Sequence, residues 1–397
     1  MHTTPKLSHN RIYLDYAAAT PLHPRVFDAM MPYWQEVYGN AGALHTDGVR
    51  AREAIEQSRA RCAAFIGAIP EEIIFTSGGT ESNNLALFGV FEQLLKEGRR
   101  PEDMHFISLS IEHSSVGDCL KVLEKKGVNI TQVSAGENGV VSVENIMNAL
   151  KENTVLISVM LVNSEIGTIQ PICELAKKIR QYRKEKNTRL PYLHTDASQA
   201  PAYISVKEYA NGADLITVDA QKMYGPKGSG FLYVKKGVSL SPILYGGTQE
   251  RGMRPGTPVT PLIVGFAEAC DLVEAQREEK IKEIRELRQL FLDEVLAHIP
   301  HTELNGDREK RIAGNVNISF VGQESEYILY ALDVRGISVS TRSACLGGTG
   351  GGSFVVRSLG KGDAYALSSV RFSFGYPTTR EEIEYTIKAL KDIYSTL

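Results

Sequence analysis

The chain has 397 residues, 43% hydrophobic and 23% charged, with a net charge of −3 at pH 7. This length calls for two or three domains, or one large domain with a smaller partner. The composition excludes disordered, collagen-like and coiled-coil chains, and the weak negative charge supplies no field that would draw in nucleic acid or an anionic membrane.

In chain order, the opening stretch MHTTPKLSHNRIYLDY has no apolar core of signal-peptide length. Residues 72–76 (EIIFT) read as a strand ending in Ser77-Gly78-Gly79-Thr80, and the helix that follows places Leu85, Phe88, Phe91 and Leu95 on one face. Residues 105–109 form a second strand, followed by Glu112-His113 and a helix through Leu120 and Leu123. Strands follow at 128–133 and 155–162, the latter interrupted by Ser158 and far short of a membrane span, and a helix at 171–183. Leu193-His194-Thr195 leads into Asp196, and strands at 215–218 and 230–234 flank a loop holding Lys222. Strands alternating with helices predict a mostly parallel sheet covered on both faces.

The texture changes after about Pro261. Residues 265–297 form one long charged helical pattern with an apolar stripe, suited to linking two domains. A smaller α+β unit follows, with strands at 315–320 and 337–340 and helices at 324–332 and 380–397. The one low-complexity tract is GGTGGG at 347–352. Five cysteines, Cys62, Cys119, Cys173, Cys270 and Cys345, are scattered without a CxxC, which fits neither a disulfide framework nor a zinc knuckle. A reducing cytoplasm is the expected setting.

Several residues carry chemical potential. Ser77-Gly78-Gly79-Thr80-Glu81 exposes backbone N–H groups at a helix start, which makes a phosphate cup or, equally, a plain capped turn. Asp196 sits where a strand ends, the edge at which open α/β folds bind ligands, and a carboxylate there pairs with a protonated ring nitrogen or caps a helix. Lys222 lies between apolar strands, a costly place unless paired or neutral, which suits a Schiff-base lysine or one that snorkels to solvent. His113 has an imidazole to stack and move protons, and Arg371 a guanidinium to clamp a carboxylate. Together, in this order, they describe a pyridoxal phosphate site for an amino-acid substrate.

From Tyr13-Leu14-Asp15-Tyr16 to the last helix, the chain resembles the class V, aspartate-aminotransferase-like pyridoxal enzymes, and within them the cysteine desulfurases of the NifS/IscS type. The matching motifs are 75–84 (FTSGGTESNN), Glu112-His113, 162–167 (VNSEIG), 194–199 (HTDASQ), 222–228 (KMYGPKG), 250–257 (ERGMRPGT), Ser343-Ala344-Cys345 and 371–375 (RFSFG). The resemblance implies an aminotransferase-like fold with a large pyridoxal-binding α/β domain at 16–262. A small α+β domain from 1–15 and 263–397 would carry the catalytic cysteine. It further implies a homodimer that turns L-cysteine into L-alanine and parks the sulfur on Cys345. A sulfur-acceptor protein serving iron–sulfur cluster assembly or tRNA thiolation would then receive it.

By the same resemblance Lys222 binds the cofactor covalently and His113 stacks over its ring. Asp196 pairs with the ring nitrogen and Gln199 with the ring hydroxyl. Gly79 and Thr80 hold the phosphate, with Gln221 as a further donor and Thr257 reaching from the partner subunit. Arg371 holds the substrate carboxylate, near Asn163 and Ser164. The glycines after Cys345 give it freedom to visit substrate and acceptor, and its thiolate is the attacking form. Arg342 is expected to enlarge that thiolate fraction or to face solvent.

The chain departs from the family where Ser-x-His before the lysine becomes Asp219-Ala220-Gln221, and where a second asparagine becomes Ser164. A carboxylate about 4 Å from a phosphate charge is repelled by roughly 4 kcal/mol at an effective dielectric of 20. Asp219 is therefore expected to point elsewhere or to weaken the cup. The alternatives to a desulfurase are a selenocysteine lyase, an aminotransferase (which has no use for a mobile cysteine), or a weakened paralogue acting as a scaffold for sulfur transfer.

Overall fold

The computed structural model describes residues 11–341 and 351–395. The first strand, β1 (Ile12–Tyr13), pairs far along the chain. The main sheet is built from β2 (Ile73–Thr76), β3 (His105–Leu109), β4 (Asn129–Val133), β5 (Thr154–Ser158), β6 (Tyr192–Asp196), β7 (Leu215–Asp219) and β8 (Gly230–Val234). Its order is β2-β8-β7-β6-β5-β3-β4, with β7 through β4 parallel and β8 antiparallel to both neighbours.

The central strands are buried on both faces, and their alternate residues feed two cores. Ile216 and Val218 of β7 and Phe231 and Tyr233 of β8 join the core under the Thr46–Ile66 and Thr260–His298 helices. Leu215 and Leu232 join the core under the Gly79–Lys96 and Ser114–Lys125 helices. This is the two-residue period of a strand covered on both sides.

The expected strand at 155–162 is regular only to Ser158, although the Val159 and Leu161 N–H groups still bond the His194 and Asp196 carbonyls of β6. The Met160 N–H is taken by Glu112 Oε1 at 2.7 Å, so a side chain replaces a neighbouring strand there. The 39-residue helix Thr260–His298 starts ahead of its expected position because Thr260-Pro261 opens it, and proline is well suited to a first helical turn. Its first half packs on the Thr46–Ile66 helix, and the Phe291 ring in its second half lies 4.8 Å from that of Phe372, tilted by 50°. One helix thus serves both parts of the chain.

The second unit holds β9 (Thr302–Leu304), β10 (Asn315–Phe320), β11 (Ile337–Ser338) and β12 (Ser369–Ser373). β10 lies antiparallel between β12 and β9, and β11 pairs parallel with β1. The expected strand at 337–340 is shorter, with Ser340 making only an isolated bridge to Arg371. The helices Ser325–Asp333 and Arg380–Ser395 complete it. Among the elements that the sequence pattern did not announce are the 21-residue Thr46–Ile66 helix, capped by His45, and β12.

Candidate active site

A cavity opens at the carboxyl edge of the parallel strands. The chain leaving β3 brings His113, the end of β6 brings Asp196, the end of β7 brings Asp219, and the turn after it brings Gln221 and Lys222. Strands ending on one edge of a parallel sheet must deliver their following residues to one place. Gly79, Thr80, Ser164, Gln199 and Arg371 also line the cavity, with Ala17, Ala18, Ser115, Met160, Val162 and Ser198.

Gly79 and Thr80 open an 18-residue helix, whose N-terminal N–H groups favour an anion. The turn before it depends on glycine. Gly78 has φ 146°, and a Cβ on Gly79 would lie 2.9 Å from Ser198 Oγ and 3.3 Å from Asp219 Oδ2. Ser198 Oγ is buried and has no partner among the described residues. A cradle that any side chain would fill, walled by an unsatisfied hydroxyl, fits a phosphorylated ligand.

Asp196 is 9% exposed and held from two sides: Oδ2 accepts from Asn83 Nδ2 at 2.7 Å and Oδ1 from the Ser198 N–H at 2.9 Å. Asn83 Nδ2 also donates to Ser115 Oγ at 2.8 Å, and Ser115 Oγ lies 2.8 Å from His113 Nδ1. His113 Nδ1 accepts the Ser115 N–H at 3.2 Å, so His113 caps its helix and the neutral ring carries its proton on Nε2. Burial lowers the His113 pKa from its ordinary value and outweighs the opposing pull of Asp196. A carboxylate beside a ring site and a neutral imidazole are therefore linked by one amide and one hydroxyl. Glu112, fully buried, has its carboxyl pushed up by burial and then by Asp196, with Oε2 unpartnered.

Lys222 sits on the turn Ala220–Lys222 and donates to the Ala17 carbonyl at 3.0 Å and to the Ala18 carbonyl. Gln199 Nε2 donates to the same Ala17 oxygen at 2.9 Å. The 17–18 segment therefore forms the wall that positions the lysine. Arg371 is 2% exposed; Nη2 pairs with Asp15 at 2.6 Å and Nη1 donates to the Ser164 carbonyl at 3.0 Å, while Nε is buried without a partner among the described residues. A fixed, planar cation at the cavity wall suits a carboxylate ligand.

Two expected residues are not brought to the cavity. Asn163 is 1% exposed, and its amide is spent on the main chain: Nδ2 donates to the Ile111 carbonyl while Oδ1 accepts from the Glu165 and Ile166 N–H groups. It shapes the turn that presents Ser164. Thr257 is exposed and does not line this chain's own cavity. Cys345 and Arg342 lie outside the described residues. Asn83, Ser115, Ser198 and Asp15 were not expected as site residues, although Asn83 and Ser198 lie in the matched motifs. Asp219, flagged as a departure, does not point away but lies in the cup.

The Aminotransferase class-V family model matches residues 12–386. The chain is 41% identical to a cysteine desulfurase IscS of Dictyoglomus turgidum over 386 residues, covering 97% of this chain and 95% of that one. It is also 41% identical to a mitochondrial cysteine desulfurase of Arthroderma benhamiae, covering 96% and 74%. Among solved structures it is similar to a NifS-like protein (TM-score 0.89, 32% identity, 98% and 100% covered). It is similar as well to SspA in complex with cysteine (TM-score 0.77, 30% identity, 93% and 100% covered).

Proposed function

The chain belongs to the aminotransferase class-V family, and from that premise we propose that it is a cysteine desulfurase, converting L-cysteine to L-alanine and passing the sulfur to an acceptor. The observation that carries this reading is the meeting of Lys222, Asp196, His113 and Arg371 around the Gly79–Thr80 cup in one cavity. The cysteine bound by a structural relative adds support.

Pyridoxal phosphate, when bound, supplies an electron sink for the bonds of the substrate amino acid. Gly79, Thr80 and Gln221 would hold its phosphate, Asp196 would keep its ring nitrogen protonated, Gln199 would meet its ring hydroxyl, and Lys222 would bind it covalently. Thr257 would reach the phosphate across a homodimer. Exposed Phe27, Trp34, Tyr38, Leu44, Leu244, Tyr245 and Val259 support such an interface. Arg371 orients the substrate carboxylate, beside Ser164. His113 Nε2 is the nitrogen left to exchange a proton with substrate, because Nδ1 is engaged with Ser115.

The Cys345 thiolate attacks the substrate sulfur. The C–S bond gives way to C–H and an S–S bond forms on Cys345, so no outside oxidant is consumed. The persulfide then serves a sulfur acceptor for iron–sulfur cluster assembly or tRNA thiolation. We assign the large domain to 16–262 and the small one to 1–15 with 263–397, a division supported by the separation of the seven-stranded sheet from the three-stranded and two-stranded ones. A reducing, cytoplasmic setting is supported by Cys62, Cys119, Cys173 and Cys270, all free.

The test is alanine formation from L-cysteine with a dithiol reductant and no added keto acid. Equal yields of alanine and sulfide are expected. Alanine only when pyruvate is supplied would replace this reading with an aminotransferase.

A further inference from the structure

The Asp219 carboxylate stands inside the phosphate cup. It is 5% exposed; Oδ2 accepts from the Gly79 N–H at 3.2 Å and from Gln221 Nε2 at 3.0 Å. Two donors that a phosphate would use are thus already turned to a carboxylate. Asp219 is also held there, because Oδ1 takes the Gln221 N–H at 3.2 Å and caps the turn that carries Lys222.

The charged groups around it are turned to other partners. On the Gly79–Lys96 helix, Glu81 turns to the Ser77 N–H and to Arg254, at 2.8 and 2.9 Å. Lys222, on the same turn as Asp219, donates to the Ala17 and Ala18 carbonyls. Asp196 at the end of β6 adds a second carboxylate, His113 is held toward its neutral form, and Arg371 is paired with Asp15.

We propose that Asp219 makes the cup select the singly protonated phosphate, with one proton shared between its carboxylate and a phosphate oxygen. The proton comes from solvent, and the only new linkage is an O–H···O hydrogen bond, so no other bond changes. Two like charges that share a site take up a proton rather than both stay ionised. A phosphate monoester loses its second proton near pH 6, so above that pH binding must draw a proton from water. Affinity then falls by about tenfold for each pH unit. The inference rests on reading the cavity as a pyridoxal phosphate site.

The experiment titrates the full-length protein, freed of cofactor, with pyridoxine 5′-phosphate between pH 6 and 9. This probe keeps the phosphate but has no aldehyde to react with Lys222. Wild type is compared with Asp219→Asn, which keeps the capping acceptor, and with Asp219→Ser. The dissociation constant of wild type should rise about tenfold per pH unit, and that slope should flatten in both variants. The phosphorus NMR signal of the cofactor-loaded protein should titrate above pH 7 in wild type and stay that of the dianion in the variants. Equal slopes in all three proteins, or a dianion signal in wild type at pH 7, would overturn the proposal. A wild type that forms no lysine-linked visible band with pyridoxal phosphate at any pH would instead overturn the reading of the cavity, and this inference with it.

Discussion

Asn83 donates one amide group to both Asp196 Oδ2 and Ser115 Oγ, at 2.7 and 2.8 Å. It thereby joins the carboxylate proposed for the ring nitrogen to the hydroxyl that holds His113 Nδ1. Asn83 is fully buried on the second turn of the Gly79–Lys96 helix, so one helix start sets both the cup and the polarity of the ring site.

Asn83→Ala is expected to lower cofactor affinity about tenfold, the loss of one hydrogen bond to a charged group. It should also shift the visible band of the bound cofactor, because Asp196 loses a donor. Equilibrium dialysis with absorbance spectra checks both, and an unchanged band would reduce Asn83 to a packing residue.

Lys222→Ala should leave no cofactor attached after borohydride reduction and dialysis. Retention of a covalent band would move the assignment to Lys227.

Cys345→Ser should bind cofactor as wild type does and release no sulfide from cysteine. Undiminished turnover in that variant would remove Cys345 from the reaction.

Arg371→Lys replaces a planar fork by a point charge and leaves Asp15 with a weaker partner. KM for cysteine should rise tenfold or more, with cofactor content unchanged. Steady-state kinetics on the dialysed protein tests this, and an unchanged KM would place the substrate carboxylate elsewhere.

Stability should fall as pH drops from about 6.5 toward 4. His105 and His194 are buried between strand hydroxyls, and burial lowers both from 6.5 to about 4. In that window the unfolded chain binds the protons and the folded one does not, so their contribution is complete above pH 6.5 and is lost on acidification. Glu112 has the opposite sign, since a raised carboxyl stabilises at low pH and costs stability as pH rises. Two histidines outweigh one carboxyl, at about 1.4 kcal/mol per proton per pH unit at most. Urea midpoints measured from pH 7 to pH 4 should fall, less steeply in His194→Gln; a flat profile would contradict the assignment.

Much of the fold was legible because the central strands are short apolar runs bounded by turns, and those run edges hardly depend on context. β3, β8 and β10 coincide with their expected limits. β12 was missed because only its arginine drew notice in SVRFS, and the Thr46–Ile66 helix because its polar, alanine-rich run presents only a weak apolar stripe. Beyond Ser158 the strand pairs only with β6, and on its other side a distant side chain, Glu112, takes the Met160 N–H, an event no local pattern records.

The sequence by itself determined which residue types stand at or just after the strand ends, and so which groups could meet: the glycine turn at 78–79, Asp196 and Lys222; Arg371 stood out by residue type alone. These are local properties of short segments, written in residue type and spacing. Only the tertiary structure decided their partners. It turned Asn163 to the main chain while Ser164 reached the cavity, linked Asp196 to His113 through Asn83 and Ser115, and set Asp219 against Gly79, 140 residues away. A side chain's bonding capacity is fixed by its chemistry, but which groups it faces depends on strands packed side by side from distant parts of the chain, and that geometry exists only once the sheet has formed.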